Sequence, residues 1–177
     1  NKKNKLFNLA VASSSATLIQ NIKHESSMMT TTTDAELDIV LGGGIVSGSV
    51  ILLAGEPGIG KSTLLLQIAL SYKSETLYVS GEEALTQIKM RADRIGIKNQ
   101  HCHVFSETST TKIINHCENR AKKENSYQLI IIDSIQTLFS NYIDTPIGSV
   151  SQIKQCCSEL VQYAKKTNTP IILIGHI

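Results

Sequence analysis

Three glycines, a proline, a lysine and two hydroxyl residues are packed into GEPGIGKST, residues 55–63, directly after the apolar run VILLA at 50–54. That combination suits the handling of phosphate. Glycines let the backbone turn so tightly that successive N–H groups face one point and form a nest for phosphate oxygens. A helix starting near Lys61 adds its N-terminal donors and its dipole. The stretch fits GxxxxGK[ST] at every fixed position, with Gly55, Glu56, Pro57, Gly58, Ile59 and Gly60 as the loop between an expected strand and an expected helix. Lys61 is then expected to reach the β- and γ-phosphates of a nucleoside triphosphate, and Ser62 to offer its hydroxyl to Mg²⁺. Thr63 is expected to help hold the α-phosphate. The bland alternative is a glycine-rich turn with an incidental Lys-Ser pair, and the flanking strand and helix argue against it.

Such a site needs an acid for the metal and a base for water. LIIID ends an apolar run with Asp133, the expected magnesium carboxylate; a helix-capping aspartate is the alternative. YVSGEEA puts Glu82 and Glu83 just past another expected strand, at the sheet edge where open α/β folds bind ligands. Glu82 is read as the catalytic base and Glu83 as the acid that starts the next helix, where it suits the dipole. LIGHI places His176 past a further strand. Gln136 follows Asp133 closely, and both Gln136 and His176 could sense the γ-phosphate, although a lone His at a strand end is more often structural. The basic stretch Lys89, Arg91 and Arg94 reads as a solvated helix face, with a subunit or DNA contact as the rival.

The elements that must position these residues alternate along the chain. Strands are expected at 50–54, 76–80, 103–105, 129–132 and 170–177, and helices at 61–72, 83–95, 109–123 and 150–167. Residues 36–41 could add one helical turn. Strands alternating with helices mean an α/β layered fold with a mainly parallel sheet and helices on both faces. Residues 1–33 are rich in Ser, Thr and Asn and read as a linker-like N-terminal segment, with one short helix possible near 16–22. Their first residues faintly resemble a signal peptide, but the apolar core is short and broken by Asn8. Residues 34–177 read as the nucleotide-binding domain.

Composition narrows the field further. A net charge of +2 from 17 basic and 15 acidic residues does not argue for nucleic acid by itself. No Trp and only 5% aromatic residues advertise no base-stacking platform. The four cysteines form no CxxC pair and are expected to be reduced thiols in a cytoplasmic protein. No apolar run approaches the ~20 residues that span a bilayer, so no membrane partner is expected.

The stretches ELDIVLGGGIVSGSVILLAGEPGIGKSTLLLQIA, LYVSGEEALTQIKMRADRIGI, IIIDSIQTLFS and GSVSQIKQCCSELVQYAKKTNTPIILIGHI resemble the bacterial RadA (Sms) family over roughly residues 34–177. The resemblance implies a RecA-like P-loop NTPase fold and an ATPase that uses ATP and Mg²⁺ in DNA repair and recombination. It also implies a homo-oligomeric ring acting on single-stranded or branched DNA. The loop 141–149 corresponds to one that faces DNA in such rings, yet NYIDTPIGS carries no Lys or Arg. The family's four-cysteine zinc finger, second DNA loop, KNRFG motif and Lon-like domain have no counterpart here, which implies a chain truncated at its C-terminal end, a fragment or the product of a degenerate gene. Two other readings stay open: a nucleotide-binding oligomerisation module with little or no turnover, and a P-loop kinase for a small molecule.

Overall fold

The computed structural model of the chain describes residues 16–21 and 29–177. The signal-like residues 1–15 lie outside the described residues. Of the short helix expected near 16–22, a single 3-10 turn at Ile19–Asn21 is described.

A two-stranded antiparallel ribbon comes first, β1 (Met29–Thr30) against β2 (Ile45–Val46), with helix α1 (Ala35–Val40) between them. Asp34 caps α1 by accepting from Leu37 N at 2.9 Å. Thr32 is fully buried and donates to the Asp38 carboxylate through both its amide and its hydroxyl, each at 2.7 Å. The residues on either side of the expected boundary at Thr33 are thus tied to one another. This ribbon had no signal in the sequence, since two-residue strands carry no periodicity.

The main sheet follows. Its strands are β3 (Val50–Gly55), β4 (Thr76–Ser80), β5 (Cys102–Ser106), β6 (Leu129–Asp133) and β7 (Ile171–His176), in the spatial order β3-β7-β6-β4-β5 and all parallel. Helices α2 (Lys61–Ser71), α3 (Leu85–Ile95), α4 (Thr110–Lys123) and α5 (Val150–Thr167) connect them. Every residue of β4 and β6 is buried, as expected of strands covered on both faces. Alternate strand residues divide between the two faces. Leu77, Val79, Ile130, Ile132, Ile171 and Leu173 pack with α4 and α5. Tyr78, Leu129, Ile131, Ile172 and Ile174 pack with Leu65, Leu66, Ile68 and Ala69 of α2 and Ile88 of α3. Each such side chain contributes roughly 1.5–3 kcal/mol on burial. The result is the RecA-like α/β layering.

Because the strands are parallel, their C-terminal ends share one edge. Gly55 stands beside His176, and Ser80 beside Asp133. Strand β7 sits between β3 and β6, so it carries His176 in between the glycine loop and Asp133. Helix α3 begins two residues later than the sequence indicated, at Leu85 after the cap Ala84, where the Gln87 side chain accepts from Ala84 N at 3.0 Å. Glu83 therefore lies outside the helix, which has no acid in its first turn.

Candidate functional site

The loop between β3 and α2 is built on backbone freedom. Gly58 and Gly60 have φ of 82° and 97°, a region that costs a residue with a Cβ substantially more than glycine. Gly60 caps α2 in this left-handed conformation without any side-chain capping bond, which leaves the first amides of α2 without a side-chain acceptor at the cap. At Gly55 a Cβ would meet only the end of the exposed Ile59 side chain, at 2.7 Å, which could swing aside. Lys61 is 7% exposed, and its Nζ donates to the carbonyls of Gly55 and Glu56, both at 2.6 Å. An ammonium carries three donors, so one hydrogen remains for a phosphate oxygen.

Asp133 stands at the same sheet edge, held by a residue of the neighbouring strand. Tyr78 is fully buried and donates to Asp133 Oδ2 at 2.7 Å, with the Ser62 carbonyl 3.4 Å from the same hydroxyl. Burial first, and the Asp133 charge second, push the Tyr78 phenol far above its ordinary range, so it stays a neutral donor. The Asp133–Ser134 peptide is cis. Ser134 Oγ donates to Glu82 Oε1 at 3.0 Å, and Gly81 N donates to the Asp133 carbonyl at 3.0 Å. Gln136 Nε2 donates to the His176 carbonyl at 3.1 Å. The structure thus links Ser62, Asp133, Glu82, Gln136 and His176 along one sheet edge.

A cavity of about 210 Å³ opens over this edge, lined by Gly58, Gly60, Lys61, Ser62, Thr63, Arg91 and His176. Four buried polar side-chain atoms lack a partner among the described residues; two of them, Arg91 Nε and His176 Nδ1, belong to residues that line this cavity, and a third is Oε1 of Gln136, whose Nε2 bonds the His176 carbonyl. Unpaired buried donors and acceptors are costly, so their clustering at one mouth fits a polar ligand. Two sequence readings are corrected here. Arg91 is not on a solvated face: its side chain is 12% exposed and forms an ion pair with Glu83. Glu83 is that arginine's partner, which holds it clear of the helix start. The sequence reading grouped Arg91 with Lys89 and Arg94 on one polar helix, where no pattern of neighbouring residues marks the single arginine that turns inward.

The donor set suits magnesium. One hydroxyl (Ser62) and one carboxylate (Asp133) are hard oxygen ligands, and Mg²⁺ usually keeps several waters and phosphate oxygens besides. Among the described residues no group of three or more His, Cys, Asp or Glu side chains is arranged to hold a metal by itself. A wider cleft of about 420 Å³ between α4 and α5, lined by Tyr142, Glu159 and Tyr163 among others, shares no residue with the cavity over the glycine loop.

A family profile described as "AAA domain" matches residues 21–177. The chain belongs to the AAA-domain family. Within it the sequence is RadA-like. It is 47% identical to the DNA repair protein RadA of Bacillus subtilis over 145 residues, covering 80% of this chain and 31% of that protein. It is 41% identical to RadA of Campylobacter jejuni over 175 residues, covering 97% and 38% respectively. RadA of Halalkalibacterium halodurans matches at 42% over 162 residues, covering 90% and 34%. The chain spans about a third of the length of these curated relatives. No described helix of this AAA domain is long and apolar enough to cross a membrane.

Proposed function

We propose that this AAA domain is the Mg²⁺-dependent ATP-binding and ATP-hydrolysing core of a RadA-like DNA repair protein that acts on single-stranded or branched DNA as a homo-oligomeric ring. The observation that carries the ATPase reading is one sheet edge on which Lys61 is held by the Gly55 and Glu56 carbonyls, Asp133 by Tyr78, and Glu82 by Ser134. The DNA reading is carried by likeness to proteins named for DNA repair. Exposed Tyr142 and Ile147 give the loop at 141–149 an apolar surface rather than a basic one.

The residues divide the work by chemistry. Amides of the loop from Gly55 to Gly60 and the first turn of α2 receive the phosphate oxygens, and Lys61 neutralises charge at the β,γ bridge. Magnesium, held by Ser62 and through water by Asp133, supplies charge neutralisation on the same phosphates when bound. Glu82, fixed by Ser134, accepts a proton from a water whose oxygen forms the new bond to the γ-phosphorus. The bond from that phosphorus to the bridging oxygen breaks, and ADP leaves with the electron pair. Gln136 and His176, joined side chain to carbonyl, are the sensors of the γ-phosphate in this proposal, and the presence of His176 in the cavity lining supports that role. Residues 34–177 form this domain in the proposal, with the segment before them as its linker.

The test is ATP turnover by the wild type, Lys61→Ala and Glu82→Gln chains, with and without single-stranded DNA. Lys61→Ala should lose nucleotide affinity and turnover together. Glu82→Gln should keep affinity and lose turnover by 10²-fold or more, the scale of a positioned general base. Unchanged turnover in both variants would remove the mechanism. Tight nucleotide binding by the wild type with no phosphate release would instead make the domain a nucleotide-binding oligomerisation module.

A further inference from the structure

Tyr78 is the one hydroxyl-bearing aromatic on the central strands of the sheet. It lies on β4 among Leu65, Leu66, Leu129 and Ile131 with no exposed surface. A phenylalanine would fill the same volume without the cost of burying a hydroxyl. That cost is met by one strong bond, 2.7 Å to Asp133 Oδ2. The phenol has a single proton, so the Ser62 carbonyl at 3.4 Å is a close neighbour and not a second full bond.

We propose that Tyr78 is the positioning residue for the magnesium side of the site. Its hydroxyl commits Oδ2 of Asp133 and locks the carboxylate plane, leaving Oδ1 as the oxygen available to metal-bound water. The same hydroxyl rests against the residue whose side chain is the other proposed magnesium ligand, so it sets the spacing between Asp133 on β6 and Ser62 at the start of α2. Tyr78 touches neither nucleotide nor metal; it acts through Asp133. This rests on the nucleotide–magnesium reading above. Outer-shell partners of this kind set metal affinity because a ligand held in place loses less freedom when the metal binds.

The experiment uses the full 177-residue chain and a fluorescent ADP analogue, titrated first in EDTA and then with Mg²⁺ at fixed nucleotide. In Tyr78→Phe the metal-free affinity stays within about twofold of wild type, because the cradle on β3 and α2 is untouched. The Mg²⁺ midpoint rises about tenfold, the lower end of what losing an outer-shell partner costs. In an Asp133→Asn background the same replacement moves nothing further. A wild-type midpoint in Tyr78→Phe, or an equal shift with and without Asp133, overturns the proposal. A wild-type protein whose nucleotide affinity ignores Mg²⁺ overturns the underlying site reading instead, and the wild-type titration alone reveals that. Should Tyr78→Phe fail to fold by circular dichroism, 3-fluorotyrosine at position 78 changes the donor with nearly the same shape; an unmoved midpoint there overturns the assignment too.

Discussion

Gly81 links the end of β4 to Glu82, and its replacement by alanine probes how tightly the proposed base is held. The Gly81 amide bonds the Asp133 carbonyl at 3.0 Å. An added Cβ would meet Thr137 Cβ at 2.8 Å and Thr108 Cγ2 at 2.9 Å, with the Thr137 hydroxyl nearer still; ordinary contact begins at 3.4 Å. Thr137 cannot yield easily, because its hydroxyl donates to the Ser134 carbonyl at 2.8 Å. Either the turn after Asp133 shifts or the strand end does, and Glu82 moves in both cases. Overpacking of this kind costs about 1–3 kcal/mol, which for a chain of this size lowers the melting temperature by about 5 °C. A displacement approaching 1 Å at the base costs turnover about 10²-fold. Gly81→Ala should therefore melt lower and hydrolyse ATP far more slowly while binding nucleotide within about twofold of wild type, read by differential scanning fluorimetry, phosphate release and a fluorescent-nucleotide titration. Adding Thr137→Ala removes the nearest obstruction and should recover part of the melting temperature. A single variant that melts and turns over like wild type would refute the claim that Glu82 depends on this close packing.

Arg91→Ala should weaken nucleotide binding about tenfold, the scale of one lost charge-assisted hydrogen bond; a dissociation constant equal to that of wild type removes Arg91 from the site. Glu75 is bonded by His101 and His103, each at 2.8 Å, and paired with Arg120. The bond from His101 first, then His103 and the Arg120 charge, outweigh burial and hold its carboxyl below the ordinary 4.5. A depressed carboxyl stabilises the fold above its unfolded value and stops doing so as pH falls through the folded one. The melting-temperature gap between wild type and Glu75→Gln should thus be full at pH 6 and close as pH drops below 4.5; a gap that widens on acidification contradicts the pairing. Burial pushes the Cys102 thiol up to about 11 and those of Cys117 and Cys156 up to about 12. All three should resist iodoacetamide at pH 7.5 in the folded chain and react once it is denatured, and fast native labelling of Cys117 would count against its burial.

Much of the fold was legible because its signals are local. The run LIIID reads as a strand covered on both faces, and β6 is buried throughout. Helix α5 occupies 150–167 as its spacing indicated, capped by Ser149 onto Gln152 N at 3.3 Å. Its buried face includes a residue that hydrophobic spacing does not mark. Gln152 is polar, yet it is 3% exposed because its amide accepts from Ser140 N and donates to the Thr145 carbonyl, anchoring the loop before the helix. No periodicity reveals a glutamine recruited by a loop. The start of α3 was misplaced for a similar reason: Glu83 favours helix starts on average, but here Arg91, eight positions along, claims it.

The chain by itself determined a glycine loop with Lys-Ser at a helix start, because that arrangement acts through backbone geometry and adjacent residues. It also indicated which acids stand at strand ends. Only the tertiary structure decided how those acids are held. Strand order put β7 between β3 and β6 and so brought His176 to Gln136; the burial of β4 turned Tyr78 toward Asp133; the cross-sheet turn laid Ser134 against Glu82. Those partners are 40, 55 and 52 residues apart in sequence. Hydrogen bonds across such separations depend on the packing of every layer between them, and no pattern of neighbouring residues encodes that.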